Sequence, residues 1–229
     1  NDLPDIGEPL SEQSALKKLK EIARKNILVK SMIGQGYYSG YMPNVIKRNV
    51  FENPGWYTSY TPYQAEISQG RLEALINFQT MVADLTNLDI ANASLLDEPT
   101  AAAEAMTLAH RSSKSKSDTF LVDENCFPQT ISIVKARAKP LGINVEVVDL
   151  KKLSANEAFG ALFQYPGNDG SVEISTELLA PLKDKGIITI AATDLLALTL
   201  IKAPGDLGFD IAIGNSQRFG VPPGFGGPH

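Results

Sequence analysis

Between residues 119 and 213 the sequence alternates short apolar runs with amphipathic ones, and this alternation restricts the fold more than any other feature. The run at residues 187–192 is continuously apolar, as in a strand that is covered on both faces. Strand–helix–strand alternation predicts a mostly parallel sheet with right-handed crossovers and helices on both faces, which is an α/β fold. The predicted strands are residues 119–122, 143–148, 158–164, 187–192 and 210–213, and the predicted helices between them are residues 128–138 and 176–185.

The part of the chain before the first predicted strand has a helical and loop-rich character. Ser11 is a predicted N-cap for an amphipathic helix whose lysine-rich face we expect in solvent. A broad apolar stripe over residues 66–85 predicts a second helix, which we expect to be mostly buried. The alanine-rich residues 101–110 predict a third helix, capped by Asp97 or Thr100.

Two loops of this N-terminal part, residues 32–43 and 53–64, carry six of the seven tyrosines and the only tryptophan. Glycine and proline interrupt both loops, so neither is a regular element. Two interpretations are open: the rings pack over the rim of the core, or they wall a polar mouth to a small-molecule site. We assign an N-terminal helix and aromatic-rich loops to residues 1–65, and a partial α/β domain that stops in its last loop to residues 66–229. The chain is expected to be a piece of a longer protein.

Composition and short motifs argue against several classes of function. The formal net charge of −5 and the lack of a basic tract argue against nucleic acid and anionic membranes as partners. Two histidines and one cysteine, Cys126, make a zinc site improbable, exclude an internal disulfide and suit a reducing compartment. No apolar run is long enough to span a bilayer, and neither a dinucleotide-binding Gly-x-Gly-x-x-Gly sequence nor a Walker sequence is present. Ser216 has no evident histidine partner, which argues against a serine hydrolase.

Polar residues that follow two of the predicted strands mark the expected site. Parallel sheets bind ligands beyond the carboxyl ends of their strands, and the polar residues 214–217 follow the last strand. Asp194 ends an apolar strand, where it is either a hydrogen-bonded turn residue or the carboxylate that pairs with the pyridinium nitrogen of pyridoxal phosphate. Such an enzyme also needs a Schiff-base lysine on or just beyond a later strand. The last lysine, Lys202, precedes the final strand, and Arg218 beyond it cannot form an imine.

Four long motifs carry a resemblance to a known family. They are residues 56–71 (WYTSYTPYQAEISQGR), 94–105 (SLLDEPTAAAEA), 192–198 (ATDLLAL) and 216–229 (SQRFGVPPGFGGPH). In this order they closely resemble the glycine decarboxylase P-protein family, the pyridoxal phosphate component of the glycine cleavage system. The resemblance covers essentially the whole chain and falls in the N-terminal half of the single-chain form, or in the α subunit of the two-subunit form.

The resemblance implies a fold-type-I pyridoxal phosphate architecture, duplicated into two related halves. In that family only the C-terminal half, or the β subunit, keeps the Schiff-base lysine. The spacing of Pro222 and residues 226–228 puts Gln217 at the lysine position, and glutamine cannot form an imine. This segment therefore resembles the degenerate half. It is expected to hold no cofactor and no metal, because pyridoxal phosphate would be bound by the other half or subunit.

One residue departs from the family pattern. We expect histidine before Pro-Gln-Thr, and Phe127 stands there. An active half stacks a histidine near this point on the cofactor ring, so the change fits a site without cofactor, while a lineage-specific change or a sequencing error explains it equally well. The candidate vestiges of a cofactor site are Asp97, Thr100 and Asp194.

For the whole protein the resemblance implies an enzyme that decarboxylates glycine with pyridoxal phosphate and transfers the aminomethyl group to the lipoyl arm of the H-protein. The implied partners are glycine, the lipoylated H-protein and the active half or β subunit, in a dimeric or pseudo-dimeric assembly. The implied location is the mitochondrial matrix in a eukaryote or the cytoplasm in a bacterium. This segment would supply a wall of the substrate channel, for which the candidates are Tyr60, Thr61, Tyr63, Gln64 and Glu66.

Two alternatives to this role stay open. In the first, the segment is a non-catalytic scaffold that supports the active half and docks the lipoyl carrier. In the second, the chain is a self-sufficient pyridoxal phosphate enzyme that uses Lys202.

Overall fold

The computed structural model describes residues 7–57, 65–92, 94–151 and 157–222, with side chains from residue 70 onward in the helix that begins at residue 65. The chain divides into two compact units, residues 1–33 and residues 34–229. The assignment of residues 1–65 and 66–229 to separate regions stays a prediction.

The first unit holds helix α1 (Glu12–Ala23). Ser11 caps this helix as predicted, because its hydroxyl accepts a hydrogen bond from the amide of Ser14 at 3.3 Å. Glu12 lies in the first turn and Lys20 in the last, which is the charge arrangement that the helix dipole favours. No residue of α1 is buried, and its apolar stripe (Leu16, Leu19 and Ile22) is exposed.

The second unit begins with a loop and short helical pieces, followed by a long helix. Helices α2 (Asn44–Ile46) and α3 (Pro54–Tyr57) lie on either side of a π-helical turn at Lys47–Phe51. Helix α4 (Ala65–Thr86) comes next. The helical and loop-rich character predicted for this region agrees with the structure, but the prediction that residues 53–64 contain no regular element is wrong, because α3 lies within them.

The prediction that the long helix α4 is mostly buried is wrong. From residue 70 onward Thr86 is its one buried residue, and Ile76 and Met81 are exposed. One side of the stripe packs within this chain, with Leu85 against the core and Phe78 edge-on to the ring of Phe219 at 6.2 Å. A 3.6-residue period identifies a helix, but it cannot give the width of the face that the rest of the chain covers.

The α/β domain starts with helix α5 (Glu98–Ser112) and then alternates strands and helices as predicted. The strands are β1 (Thr119–Asp123), β2 (Asn144–Val148), β3 (Gly160–Tyr165), β4 (Ile188–Thr193) and β5 (Ile211–Gly214). The remaining helices are α6 (Pro128–Ala138), α7 (Thr176–Asp184) and α8 (Pro204–Leu207), with 3-10 turns at Lys139–Leu141, Ala197–Thr199 and Gln217–Phe219.

The five strands form one parallel sheet in the order β2-β1-β3-β4-β5. Phe120 of β1 lies opposite both Val145 of β2 and Gly160 of β3, and Ile190 of β4 lies opposite Ile211 of β5. The chain leaves β1 in one direction to β2 and then returns to the other side for β3. The carboxyl ends of all five strands therefore lie at one edge, where a doubly wound sheet binds its ligand.

Hydrophobic cores lie on both faces of the sheet, as the sequence predicted. On one face, alternate strand residues such as Phe120 and Leu162 pack with the alanine-rich side of α5 and with α6. On the other face, Leu121 and Phe163 pack with Leu179 of α7. Small residues such as Ala102 and Ala105 let α5 lie close to the sheet, so this helix brings its N-terminus to the carboxyl edge. None of the helices in the described ranges combines the length and the hydropathy that a membrane crossing requires.

Candidate functional site

A polar pocket of about 180 Å³ lies at the carboxyl edge of the sheet. Its walls come from the ends of β3, β4 and β5, from the first residue of α5, from the N-cap of α6 and from the loop that opens the second unit. The described residues that line it are Gly36, Tyr38, Glu98, Phe127, Gln164, Pro166, Thr193, Asp194, Asn215 and Arg218. Elements distant in sequence thus meet where the parallel strands end, which is the place predicted for a site.

Glu98 is the buried acid of this pocket, with 4% of its surface exposed. Its carboxylate accepts hydrogen bonds from the side-chain amides of Gln164 at 3.3 Å and Asn215 at 2.9 Å. Burial raises the pKa of Glu98, the two hydrogen bonds oppose this rise, and the nearby charges of Asp194 and Asp97 add to it. The described partners of this carboxylate are neutral amides, so it has the weakest charge compensation in the pocket.

Two further polar atoms point to a wet or ligand-accepting interior. The side-chain carbonyl of Gln164 and the hydroxyl of Thr193 are buried and make no hydrogen bond within the described part of the chain. The amide nitrogen of Gln164 is fixed by Glu98 and by the backbone carbonyl of Ala192 at 3.2 Å. The orientation of the Gln164 side chain is therefore determined, and its free oxygen is an acceptor for a water molecule or a ligand donor.

Asp194 and Arg218 form the ion pair of the pocket. The arginine Nε lies 3.1 and 3.2 Å from the two carboxylate oxygens, and Nη2 lies 3.2 Å from the second. Asp194 also accepts a hydrogen bond from the amide of Leu196 at 3.1 Å, so it caps the turn after β4. It is thus both a hydrogen-bonded turn residue and one half of an ion pair, and its charge is matched within the chain.

Gln217, at the predicted lysine position, is 1% exposed and does not line the pocket. Its side-chain amide donates to the backbone carbonyl of Tyr38. Arg218 lies over the Tyr38 ring, with the guanidinium carbon 4.8 Å from the ring centroid. Phe127, the N-cap residue of α6, is buried and lies against the backbone of Gly36.

The structure resolves the choice of cap for α5. Asp97 is the N-cap, and its side chain accepts from the amide of Thr100 at 2.8 Å. Thr100 supplies the amide and does not act as the cap. Lys202 is exposed and is absent from the described lining of the pocket, and its carbonyl accepts a hydrogen bond from the hydroxyl of Tyr165 at 3.1 Å.

The predicted channel residues follow α3 in the sequence, and one of them belongs to α4. Tyr60, Thr61, Tyr63 and Gln64 lie outside the described residues, and Glu66 belongs to α4 in the part whose side chains are not described. Their role stays a prediction.

Sequence reasoning missed two of the polar residues that meet at the pocket, Glu98 and Gln164, whereas Asn215 belongs to the polar residues 214–217 predicted to mark the site and Tyr38 to the loop 32–43, for which a site wall was one of two interpretations. Gln164 is a polar residue near the end of an otherwise apolar strand, so it carried a usable signal. Glu98 sits beside a helix cap, where an acid is commonplace, and nothing in the local sequence predicts its burial.

Pyridoxal phosphate, which the resemblance implies for the whole protein, does not fit the residues of this pocket. A Schiff base needs a lysine, and the described residues that line the cavity include none. The carboxylate of Asp194 is already paired with Arg218. The N-terminus of α5 carries Asp97 as its cap and Glu98 in its first turn, and these acids oppose a phosphate there. The pocket therefore lacks both the reactive amine and the charge pattern that the cofactor needs.

Comparison with known proteins agrees with the resemblance seen in the sequence. The family model of the glycine cleavage system P-protein matches residues 2–229. The glycine dehydrogenase (decarboxylating) of Dechloromonas aromatica (strain RCB) is 60% identical over 228 residues, covering 100% of this chain and 24% of that protein. The chain thus spans about a quarter of the length of the curated relatives that it matches.

The solved structures that are similar to this chain include the following two. A crystal structure of glycine decarboxylase (P-protein) of the glycine cleavage system, in inhibitor-bound form, has a TM-score of 0.88 at 34% identity, over 100% of this chain and 53% of that one. Apo CalE6, a methionine gamma lyase from Micromonospora echinospora, has a TM-score of 0.53 at 15% identity, over 81% of this chain and 48% of that one, and is similar in fold alone. The predicted fold-type-I architecture is confirmed. With the family model matching residues 2–229, this chain belongs to the glycine cleavage system P-protein family.

Proposed function

We propose that this chain is the part of a glycine dehydrogenase (decarboxylating) that carries no Schiff-base lysine and supports catalysis elsewhere in the same enzyme. The whole enzyme would decarboxylate glycine and transfer the aminomethyl group to the lipoyl arm of the H-protein. Pyridoxal phosphate would supply the electron sink for that reaction, held by the other half or by a β subunit. Membership of the P-protein family supports this activity for the whole protein.

The observation that carries the proposal is the state of the pocket at the carboxyl edge. Gln217, which the family resemblance puts at the lysine position, directs its side-chain amide to the backbone of Tyr38, and Arg218 pairs with the carboxylate of Asp194. With the Asp194 carboxylate paired to Arg218 and no lysine among its described lining residues, the pocket offers neither a free carboxylate at that position nor an amine for the cofactor. The proposal is therefore that this half is the degenerate one.

We further propose that Tyr60, Thr61, Tyr63, Gln64 and Glu66 form a wall of the substrate channel. Support comes from their chemistry, because hydroxyl, amide and carboxylate groups beside aromatic rings can orient a small zwitterion and a lipoyl arm. The proposed partners are glycine, the lipoylated H-protein and the active half or β subunit, in a dimeric or pseudo-dimeric assembly. The proposed location is the mitochondrial matrix in a eukaryote or the cytoplasm in a bacterium.

Borohydride reduction of the complete protein, followed by peptide mapping, tests the degenerate-half proposal. Reduction fixes an imine as a stable secondary amine, so the pyridoxyl group marks the lysine that held the cofactor. The expected result is a pyridoxyl peptide from outside this segment. A pyridoxyl group on Lys202, or on any other lysine of these 229 residues, would overturn the proposal.

Substitution of the proposed channel residues tests the wall. Tyr60→Phe and Glu66→Gln in the complete protein should each lower glycine decarboxylation, because each removes one polar group from the wall and leaves its bulk in place. Glu173→Gln, at an exposed position near α7, is the matched control for the carboxylate change and should leave turnover intact. Unchanged glycine turnover in both test variants would refute the proposal that these residues form a channel wall.

A scaffold that docks the lipoyl carrier gives a different pattern of results. Under that alternative the same variants keep glycine turnover. Substitutions on the docking surface would instead weaken binding of the lipoylated H-protein.

A further inference from the structure

Gln217 and Arg218, in the turn after β5, contact the loop at residues 34–42. We call this segment the aromatic loop (GQGYYSGYM). It crosses the carboxyl edge of the sheet, and side chains from the turn after β5 hold its backbone. Gln217 donates to the carbonyl of Tyr38, and Nη1 of Arg218 donates to the carbonyl of Ser39 at 3.2 Å. From this arrangement we propose that Gln217 and Arg218 are positioning residues that fasten the aromatic loop over the pocket and thereby fix part of the substrate channel.

The guanidinium of Arg218 makes three kinds of contact at once. Asp194 holds its Nε and Nη2, Ser39 accepts from Nη1, and the Tyr38 ring lies under the plane at 4.8 Å. The Asp194 carboxylate fixes the orientation of the planar guanidinium group of Arg218. Its Nη1 therefore donates to the aromatic loop without a further loss of side-chain conformational entropy. Asp194 thus acts on the aromatic loop indirectly, by orienting Arg218.

Close approach of the two backbones gives independent support for the fastening. A Cβ added at Gly40 would lie 3.2 Å from the carbonyl oxygen of Gln217. On the other side, Gly220 has a φ of +100°, and a Cβ there would lie 2.8 Å from the carbonyl oxygen of Tyr41. At Gly220 an added Cβ would force one of the two backbones to move, and at Gly40 it would require the Gln217 carbonyl to give by a few tenths of an ångström.

The opposite end of the aromatic loop is held from α6. The side-chain amide of Gln129 donates to the carbonyl of Gln35 at 2.7 Å, and the ring of Phe127 lies against Gly36. The loop is thus attached at Gln35, Tyr38 and Ser39, while the side chain of Tyr41 stays 83% exposed. A loop whose backbone is fixed and whose tyrosine is free to meet a ligand is suited to line a channel.

This inference rests on the proposed function, since it assigns a channel role to a pocket without cofactor. The test uses the complete protein with Arg218→Ala, Gln217→Ala and Gly40→Ala. Arg218→Ala removes the guanidinium group and Gln217→Ala removes the side-chain amide. Gly40→Ala inserts a methyl group between the two backbones. Arg111→Ala, at an exposed position in α5, is the matched control. Arg218→Lys keeps the charge and pairs with Asp194 but lacks the fork, so it should restore part of what Arg218→Ala loses.

Hydrogen exchange and steady-state kinetics give the readouts. We expect amide exchange in residues 34–42 to rise at least about tenfold in the three test variants and to stay unchanged in the control. We also expect the KM for glycine or for the lipoylated carrier to rise about fivefold or more with kcat within about twofold, because the loop positions substrate and does no chemistry. Unchanged exchange, or raised exchange with unchanged KM, would overturn the inference.

The cofactor content separates this inference from the proposal on which it rests. Pyridoxal phosphate bound per chain, read from its absorbance, should be the same in all variants if the cofactor lies outside this segment. Loss of cofactor in Gln217→Ala or Arg218→Ala would refute the proposed function, whatever the exchange data show. Constant cofactor with an unperturbed loop would refute the fastening role alone.

Discussion

Arg218 and Asp194 form a forked ion pair that links the turns after the two last strands of the sheet. Nε of the arginine lies within 3.2 Å of both carboxylate oxygens, and the side chains are 19% and 18% exposed. A carboxylate at the end of an apolar strand needs a partner, and in this chain the partner is another side chain. The pair ties β4 to β5 at the edge where the pocket lies.

Asp194→Asn should destabilise the protein by about 2 kcal/mol, because it leaves the arginine with neutral acceptors in a largely desolvated place. The partial exposure of both groups keeps the expected loss below that of a fully buried pair. The free energy of unfolding in urea measures the effect. Glu52→Gln breaks the exposed Lys47–Glu52 pair, whose atoms are 3.7 Å apart, and should cost less than about 0.5 kcal/mol. Equal losses in the two variants would contradict the assignment.

The N-terminus of α5 gives a second prediction. Asp97→Ala removes the acceptor for the amide of Thr100 and should cost about 1 kcal/mol of stability. Asp97→Asn keeps an acceptor oxygen and removes a charge that lies near Glu98, so we expect it to be neutral or slightly stabilising. Thermal unfolding of the two variants beside the parent protein provides the measurement. A loss of similar size in Asp97→Asn would show that the negative charge, and not the cap, stabilises this end.

The fold could be predicted from the sequence because its signals are local. The apolar run at residues 187–192 and the polar residues that end it identify β4 and its carboxyl edge without any tertiary information. The burial of α4 could not be predicted in the same way. The apolar stripe of α4 predicts a helix. It does not say whether this chain supplies a surface that covers Ile76 and Met81, and both side chains are exposed.

The site could be predicted in part, and the missing part depends on contacts between distant residues. Asp194 and Gln217 were singled out by position, at the end of a strand and at the lysine spacing. The partners that define their state come from elsewhere in the chain: Tyr38 lies 179 residues before Gln217. Glu98 and Asn215 are separated by 117 residues and meet only because α5 packs on the sheet. No window along the sequence contains such pairs.

Cys126 gives a third prediction. The residue is 1% exposed, and burial raises the pKa of its thiol well above the usual value, with the charges of Asp123 and Glu98 adding to the rise. Both inaccessibility and a low thiolate fraction should protect it from alkylation. Iodoacetamide treatment at mildly alkaline pH, followed by peptide mapping, should find Cys126 unmodified in the native protein and modified after unfolding. Modification of the native protein at the rate of a free thiol would contradict the packing described for this residue.

The buried carboxyl group of Glu98 should make stability depend on pH in a direction that can be stated in advance. Because burial raises the pKa of Glu98, the folded protein keeps this proton to a higher pH than the unfolded chain, whose glutamate titrates near 4.5. The stabilisation from native protonation is complete below that value and is lost as the pH rises through the raised pKa of the folded state. The free energy of unfolding of the parent protein should therefore fall, relative to Glu98→Gln, as the pH is raised through this window. Urea unfolding at several pH values measures the difference, with Glu173→Gln as the exposed control. A difference that does not change with pH would show that Glu98 titrates alike in the folded and unfolded states.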